Sequence, residues 1–392
     1  MAGMLASPAA ILAGLALVVA IVFQLERRAG LAPFFSRLPP VFWVYALPML
    51  AATVGIFPNA SPLYGALTRH LLPASLALIL LSSDLRAIAR LGTRALLAMG
   101  AASLGVALGS LAAFLLLGRS LGPEAWAVFA ALTGTWIGGS ANLLAVSTSL
   151  GLSAEAQGIA ILVDTIVAYS WMAILIALSA RQAALDRRLH ADRAEVAAIG
   201  ARIAHRLERD RRPTTTADAT LLVGVALVVS SLAMAAGRAL PPVGDVLTPF
   251  AWGILLLTTA GLLLSLTPLA RYDGAGASSL GYAGFYLLLA SVGAQADLRK
   301  IVTQPLWIVA GVIVIAIHAV VLLVALRLLR APSFFLGAAS QAAIGGYSSA
   351  PVVAEIYQPG LAPVGLLLAV VGNVVGTYLG LALGQLLLSL SR

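Results

Sequence analysis

The sequence predicts an all-α polytopic membrane protein, and three observations carry that prediction. Of the 392 residues, 61% are hydrophobic and only 10% are charged, whereas soluble domains are about 45–50% apolar and about 25% charged. About twelve apolar stretches are long enough to form membrane spans, and the two halves of the chain resemble each other. A water-soluble globule needs more polar cover than this composition provides. Soluble enzymes, disordered tails and disulfide scaffolds are therefore excluded.

The predicted spans follow from the length of each apolar stretch, because a helix needs about 20 mostly apolar residues to cross a bilayer. The first stretch has no basic residues before it, so it is interpreted as a span rather than as a cleaved signal. The candidate spans are 5–23, 40–57, 64–82, 95–118, 123–150, 154–180, 219–237, 247–268, 277–296, 302–328, 332–357 and 361–389. We expect eleven to thirteen transmembrane segments in all.

An Arg-rich stretch separates the first six spans from the last six. Residues 181–212 contain nine Arg and five acidic residues. The predicted organisation is a first membrane repeat (1–180), a polar loop (181–217) and a second membrane repeat (218–392). Basic residues collect in cytoplasmic loops of membrane proteins, so the net charge of +9 does not indicate a nucleic-acid partner. We expect the lipid bilayer of a bacterial cytoplasmic (inner) membrane as the environment.

The two halves share three short patterns in the same order. The triplet Asp84-Leu85-Arg86 matches Asp297-Leu298-Arg299. The sequence Ile-Gly-Gly at 137–139 recurs at 344–346. In the span after each of these, Asp164 and Tyr169 correspond to Asn373 and Tyr378. Matching patterns at similar separations predict two structural repeats.

The orientation of the two repeats is left open by the span count. Secondary transporters commonly contain inverted repeats, with binding sites at interrupted helices near the middle of the membrane. Inversion requires an odd number of spans between matching elements, whereas the twelve candidates give six. A miscounted span, one re-entrant segment or a parallel pair of repeats would each account for the difference, and we favour inversion.

The stretch 123–150 is predicted to break in its middle. Each Gly of the pair Gly138-Gly139 disfavours a helix by roughly 1 kcal/mol relative to Ala. Irregular backbone within a bilayer persists only where it is buried in protein or lines a cavity. The alternative is close helix packing, since Gly134 and Gly138 form a GxxxG pattern. The predicted substrate-binding residues of this break are Thr135, Gly138, Gly139, Ser140 and Asn142.

A second break is predicted in 332–357, at Gly345-Gly346. Interruptions at corresponding positions of two halves are the best sequence indication of a transporter's binding site. Half-helix ends would carry partial charges toward a bound solute, and the N-terminal ends favour an anionic group. The predicted substrate-binding residues here are Gln341, Gly345, Gly346, Tyr347, Ser348 and Ser349.

Asp164 is the acidic residue in the middle of a long apolar run. Inserting a charge there costs roughly 2.5–3.5 kcal/mol, so a functional role is the default interpretation. It is predicted to couple transport to an ion, either by binding Na⁺ through its oxygens or by binding and releasing a proton. The alternative is a neutral, structurally hydrogen-bonded carboxyl. Asn373, at the matching position, keeps an oxygen ligand but cannot ionise.

Other polar groups favour simpler interpretations. Asp84 and Asp297 end their spans and are interpreted as helix-end charges paired with Arg. His318 is interpreted as a packed, hydrogen-bonded side chain rather than a proton relay. No Walker loop or HExxH zinc motif is present. A serine nucleophile at Ser140 would need a base, and His318 is the only deep candidate, so we expect no enzyme and no cofactor apart from a coupling ion.

These motifs together resemble the YjcL-like family of uncharacterised integral membrane proteins. The similarity rests on 132–142, the Asp164 span, the stretch ending at Arg299 and 342–346, and it covers most of the chain outside the Arg-rich loop. The resemblance implies kinship with the superfamily of bile-acid/sodium symporters and cation/proton antiporters. It further implies two crossing, centrally unwound helices, a second domain for dimer contacts and elevator-type motion. The paired acidic residues of the antiporters are not reproduced, which favours Na⁺-coupled symport.

The sequence therefore predicts a secondary active transporter of a small solute that functions as a homodimer. The expected transport core comprises about 95–180 and 302–392, and the remaining helices form a scaffold and dimer domain. Proton-coupled transport or antiport is the alternative. A channel would require a continuous polar path, and a membrane-embedded enzyme would require a nucleophile within reach of a base. The sequence does not identify the solute.

Overall fold

The fold was taken from a computed structural model, which describes residues 7–31, 34–35, 40–83, 88, 91–191, 213–244, 246–296 and 305–391. These residues are almost entirely helical. An isolated bridge between Val243 and Leu247 is the only β-type pairing in this part of the chain. The prediction of an all-α membrane protein is confirmed.

The described residues of the first half form eight helices. They are α1 (Pro8–Glu26), α2 (Pro40–Thr53), α3 (Pro62–Leu81), α4 (Thr93–Leu121), α5 (Ala125–Gly138), α6 (Ser140–Ser149), α7 (Ala154–Ser179) and α8 (Gln182–Leu189). A π-helical segment, Leu67–Leu71, interrupts α3, and a short 3₁₀ turn, Ala29–Leu31, follows α1.

In the second half, seven helices lie within the part of the chain that the structure describes. They are α9 (Thr216–Ala239), α10 (Pro249–Ser265), α11 (Ala277–Gln295), α12 (Leu306–Leu329), α13 (Phe334–Ile344), α14 (Gly346–Tyr357) and α15 (Ala362–Ser391). A 3₁₀ turn, Pro268–Asp273, joins α10 to α11.

Each of the twelve predicted spans contains a helix. Within the described residues, eight helices are long and apolar enough to cross a membrane, namely α1, α3, α4, α7, α9, α11, α12 and α15. The stretches 123–150 and 332–357 each fold as two consecutive helices rather than one. The start of the predicted loop forms α8, whereas 192–212 and the matching triplets at 84–86 and 297–299 lie outside the described residues.

The outer helices expose many large apolar side chains, more than is typical of a protein surface in contact with water. Leu17 on α1 is 60% exposed and Leu232 on α9 is 65% exposed. Neighbouring turns of both helices expose further Leu, Ile and Val side chains. Exposed apolar patches of this extent mark contact with a membrane or a partner, in agreement with the composition.

Packing between the halves is reciprocal. Helix α4 packs along α12, its predicted counterpart in the second half, while α2 packs on α11 and α3 packs on α10. The approach of α4 to α12 is close because α4 carries small residues: a Cβ at Gly105 would lie 2.8 Å from the His318 Cα. Small residues permit such close helix contacts in membranes. Reciprocal packing is the arrangement expected if the two halves are repeats.

Three carboxylates, one buried, one half-buried and one exposed, accept hydrogen bonds at the starts of helices. Glu124 accepts hydrogen bonds from the Ser153 backbone N–H (2.9 Å) and hydroxyl (2.8 Å) at the start of α7. Asp186 of α8 accepts from the Ser333 backbone N–H (2.8 Å) just before α13. Glu355 accepts from the first N–H groups around α15. Negative charge at a helix N-terminus is favourable because unsatisfied N–H groups point there.

Candidate functional site

The first break falls at the predicted Gly pair. Helix α5 ends at Gly138 and α6 begins at Ser140. Between them, Gly139 has φ +86° and ψ 173°, a conformation that side-chain-bearing residues rarely adopt. The Gly139 N–H still bonds the Thr135 carbonyl at 2.6 Å. The chain therefore changes direction at one residue and then resumes a helix.

The second break falls at the matching pair. Helix α13 ends at Ile344, Gly345 has φ −111°, and Gly346 has φ +61° at the start of α14. Both breaks thus combine a helix end, a positive-φ glycine and a new helix start. The prediction that these two stretches are interrupted at 138–139 and 345–346 agrees with the structure.

The two breaks meet in space. A Cβ built on Gly346 would lie 3.5 Å from the Gly139 Cα. The two broken helices are therefore in contact at their irregular backbones, and this contact brings together residues about 200 positions apart in the sequence. No sequence pattern predicts this contact.

The other glycine of each pair makes room for polar side chains. A Cβ at Gly138 would collide with the Asn142 amide nitrogen, and a Cβ at Gly345 would collide with the Ser349 hydroxyl and the Gln341 amide nitrogen. Gly138 and Gly345 are therefore required because a side chain there would displace neighbouring polar groups. Gly139 and Gly346 are required because their backbone has a positive φ. Both interpretations of a Gly pair, packing and interruption, hold here.

Asn142 is the centre of a buried polar cluster beside the first break. Its Nδ2 donates to the Gly138 carbonyl at 2.7 Å and to Asn373 Oδ1 at 2.8 Å. Its Oδ1 accepts a short hydrogen bond from the Thr377 hydroxyl. Asn373 Nδ2 is buried without a hydrogen-bond partner. The cluster ties α6 to α15 and leaves one amide donor unsatisfied.

The second break has its own polar pair. Gln341 Nε2 donates to the Ser349 hydroxyl at 2.8 Å, while the buried Gln341 Oε1 has no hydrogen-bond partner. Tyr347 packs edge-on against Tyr282 of α11, with ring centroids 6.4 Å apart. The side chain of Ser348 is outside the described part of the structure.

Asp164 contacts the first broken helix. Its Oδ2 accepts a long hydrogen bond, 3.4 Å, from the Thr135 hydroxyl, and its Oδ1 is buried without a hydrogen-bond partner. The Trp136 indole N–H faces the same carboxylate without reaching hydrogen-bonding geometry. Ser140 is half-buried. Asp164 thus adjoins α5 and Asn373 adjoins α6, and no hydrogen bond joins the two side chains in the described structure.

The sequence interpretation missed a glycine series on α15. Gly372, Gly376, Gly380 and Gly384 recur every fourth residue. A Cβ at Gly376 would lie 2.8 Å from the Gly138 Cα. The series lets α15 lie directly on α5 and brings Asn373 and Thr377 to Asn142. The four-residue spacing of these glycines is typical of close helix contacts between small residues, so the series could have been recognised in the sequence.

His318 belongs to a complete hydrogen-bond chain. Its Nδ1 lies 2.9 Å from the Ala102 carbonyl, which can only accept, so Nδ1 carries the proton. Its Nε2, 2.8 Å from the Ser340 hydroxyl, is then the acceptor. The Ser340 oxygen in turn accepts the Trp171 indole N–H at 2.8 Å. His318 is therefore a satisfied core side chain, and its serine partner is Ser340 rather than Ser140.

A cation site here would rely mainly on neutral oxygens. The described residues contain no group of three or more His, Asp or Glu that could hold a metal ion. One carboxylate together with hydroxyl and amide oxygens is a donor set for a hard cation that binds weakly enough to be released. Thr135 Oγ1, Asp164 Oδ1 and Gln341 Oε1 are oxygens of this kind on the broken helices and on α7.

Comparison with known proteins identifies the family. The chain is 26% identical over 346 residues to the protein named "Uncharacterized membrane protein YjcL" of Bacillus subtilis (strain 168), an alignment that covers 85% of this chain and 86% of the relative. The family described as "Protein of unknown function (DUF819)" matches residues 10–390. Because this match spans nearly the whole sequence, the chain belongs to the DUF819 family of membrane proteins.

Proposed function

We propose that this protein is a secondary active transporter that binds a small solute, preferentially an anionic one, where its two broken helices cross. The observation that carries the proposal is the contact between the backbones at Gly139 and Gly346. Helix interruptions inside a membrane are costly unless they line a site. Two of them, meeting at one point, are the arrangement that transporters use to bind solutes and ions.

The polar groups at the crossing supply the chemistry of recognition. Helices α6 and α14 begin at Ser140 and Gly346, so their N-terminal N–H groups lie beside the crossing point. Such ends favour negative charge. Asn142, Gln341 and Ser349 provide neutral hydrogen-bonding groups next to them. A solute with a carboxylate or similar anion would suit this combination.

Asp164 is proposed to bind the coupling ion, with Na⁺ favoured over H⁺. Its Oδ1 lacks a hydrogen-bond donor and its Oδ2 has only the long contact with Thr135. A cation bound at this carboxylate would satisfy both oxygens. Asn373 would act as the fixed neutral counterpart in the second half. Proton coupling or antiport is the alternative, and a channel or an enzyme is less favoured.

We propose an elevator-type mechanism from the way in which helices of one half pack on helices of the other. The reciprocal packing of α2 on α11 and α3 on α10 supports two repeats, and we propose that they are inverted. A core of about 95–180 and 302–392 would move against a scaffold made of the remaining helices, which would also form a homodimer. The suggested kinship with bile-acid/sodium symporters and cation/proton antiporters, and a place in a bacterial cytoplasmic membrane, belong to this proposal.

The first experiment is thermal unfolding of the detergent-purified protein in Na⁺, K⁺ and Li⁺ at matched ionic strength and several pH values. A cation that binds only the folded state at 100 times its Kd adds about 2.7 kcal/mol of stability. We expect Na⁺ to raise the Tm of the wild type but not of Asp164→Asn. The control is Asp273→Asn, which alters a carboxylate outside the spans that accepts from Ser278.

The outcomes separate the alternatives. A Na⁺-specific increase that Asp164→Asn abolishes and Asp273→Asn retains supports a sodium site. A pH-dependent change without cation specificity, lost in Asp164→Asn, favours proton coupling. Equal behaviour of wild type and Asp164→Asn under all conditions contradicts any coupling role for Asp164.

A further inference from the structure

A cavity away from the helix crossing has the chemistry of an anion site. Its volume is about 420 Å³, which is within the range of small-molecule sites. It opens where the π-helical part of α3, the α6–α7 connection, α10 and α11 come together. Its polar lining consists of Thr68, Arg69, Thr148, Gln157 and Gln295, and Phe250 contributes an aromatic wall.

The donors that line this cavity are available to a ligand. Among the described residues, the side chains of Thr68, Arg69 and Thr148 make no hydrogen bond or ion pair. The amide groups of Gln157 and Gln295 already donate to backbone carbonyls at 3.0 Å. No carboxylate belongs to the described lining. The free donors are therefore one guanidinium and two hydroxyls, a set that is complementary to an anion.

The backbone at Arg69 is also unusual. Arg69 lies within the π-helix Leu67–Leu71, after which the Leu72 N–H bonds the Leu67 carbonyl five residues earlier. Pro73 has no N–H and cannot bond the Arg69 carbonyl in the α-helical manner. Single π-turns of this kind occur frequently at functional sites. Thr68 and Arg69 both belong to this turn, and both line the cavity.

We propose that this cavity binds a small carboxylate through Arg69, with Thr68 and Thr148 as hydroxyl donors. Thr148 and Gln157 belong to the proposed transport core, and the other polar residues of the lining belong to the proposed scaffold. The site would therefore hold an anion at the boundary between the two parts. The proposed binding site is supported by the cavity and its lining alone. Its role as an access site for the transported anion rests on the proposed function.

The test measures binding separately from transport. The full-length protein in phosphatidylcholine nanodiscs is titrated calorimetrically with pentanoate and with pentanamide, which has a similar size but no charge. The variants are Arg69→Gln, Arg69→Lys and Arg119→Gln, the last being a matched change of an exposed arginine in the final turn of α4. A parallel set uses phosphatidylglycerol nanodiscs, which offer lipid phosphate and net negative charge.

The expected result is saturable binding of pentanoate but not pentanamide. Affinity should fall at least about tenfold in Arg69→Gln, less in Arg69→Lys, and stay unchanged in Arg119→Gln, because a charged hydrogen bond is lost only in the first case. Absence of pentanoate binding, or equal binding by Arg69→Gln, overturns the proposal. So does binding that phosphatidylglycerol abolishes, since Arg69 would then be a lipid contact.

Failure of the site and failure of the transporter proposal are distinguishable. If Arg69-dependent binding is present but liposomes show no pentanoate uptake under any ion gradient, the site is supported and carboxylate transport is contradicted. If uptake is present and Arg69→Gln leaves both uptake and binding intact, the site is overturned while transport is retained.

Discussion

Asn142 donates a hydrogen bond of 2.8 Å to Asn373, and this contact joins the second arm of one broken helix to the helix that follows the other. The two side chains are buried, at 3% and 2% exposure. Thr377 completes the cluster by donating to Asn142. A buried polar cluster of this kind specifies one arrangement of its helices, because an unsatisfied member is costly. Asn373, the predicted counterpart of Asp164, is thus a structural partner of the first break.

Replacing Asn142 should destabilise the protein. In Asn142→Leu, Thr377 and Asn373 lose their partner, so we expect a loss of about 1–3 kcal/mol. Thr377→Val removes only one donor and should cost less. Thermal or denaturant unfolding in a fixed detergent measures both. Equal stability of Asn142→Leu and the wild type would show that the cluster is hydrated and contributes no net interaction.

Replacing either positive-φ glycine by alanine, which adds the smallest side chain, should destabilise the protein. Nothing lies within 4 Å of a Cβ at Gly139, so the cost of Gly139→Ala is conformational, about 1–3 kcal/mol. Gly346→Ala should cost a similar amount for the same reason, since its Cβ would make only an ordinary contact, 3.5 Å, with the Gly139 Cα. The control is Gly100→Ala in helix α4, where a Cβ also has open space and where Ala is favoured by roughly 1 kcal/mol. A neutral Gly139→Ala would contradict the requirement for left-handed backbone.

The glycine series on α15 should tolerate no added volume at its centre. A Cβ at Gly376 would lie 2.8 Å from the Gly138 Cα and 2.9 Å from the Gly134 carbonyl. Gly376→Ala should therefore force α15 away from α5 and cost about 1–3 kcal/mol through overpacking. Gly224→Ala, on the open surface of α9, is the matched control. Stability measurements of the two variants should diverge, and identical values would refute close packing.

The His318 chain is predicted to be structural. Ser340→Ala leaves Trp171 without an acceptor and His318 Nε2 without a donor, so stability should fall by about 1–3 kcal/mol. Uptake of ²²Na⁺ by proteoliposomes, per folded molecule, should keep its dependence on pH. A proton relay predicts the opposite, a shifted pH dependence of uptake with little change in unfolding.

Relative motion of core and scaffold can be tested at Ser149 and Thr248. The Thr248 hydroxyl lies 3.4 Å from the Ser149 carbonyl, across the boundary between α6 and α10. The chain has no Cys, so a Ser149→Cys, Thr248→Cys variant carries the only thiols. A short thiol-reactive cross-linker should abolish ²²Na⁺ uptake, and a cleavable linker should restore it on reduction. Undiminished uptake by the cross-linked protein would contradict elevator motion.

The two breaks show which features of the candidate site could be predicted from the sequence and which could not. The Gly pairs at 138–139 and 345–346 were predicted as interruptions because glycine weakens helices and because the pairs recur in the two halves. The structure divides their roles, space for one glycine and conformation for the other. That division depends on neighbouring side chains: Asn142 lies against Gly138, and Gln341 and Ser349 lie against Gly345.

Composition and local pattern determined the membrane environment, the set of helices and the positions of their breaks, because hydrophobicity and helix propensity act within short segments of chain. Tertiary structure alone decided which segments meet. The contact between Gly139 and Gly346, the pairing of Asn142 with Asn373, and the cavity beside Arg69 each join residues from different helices. Such contacts depend on how whole helices pack, and small-residue surfaces such as the α15 glycine series set that packing.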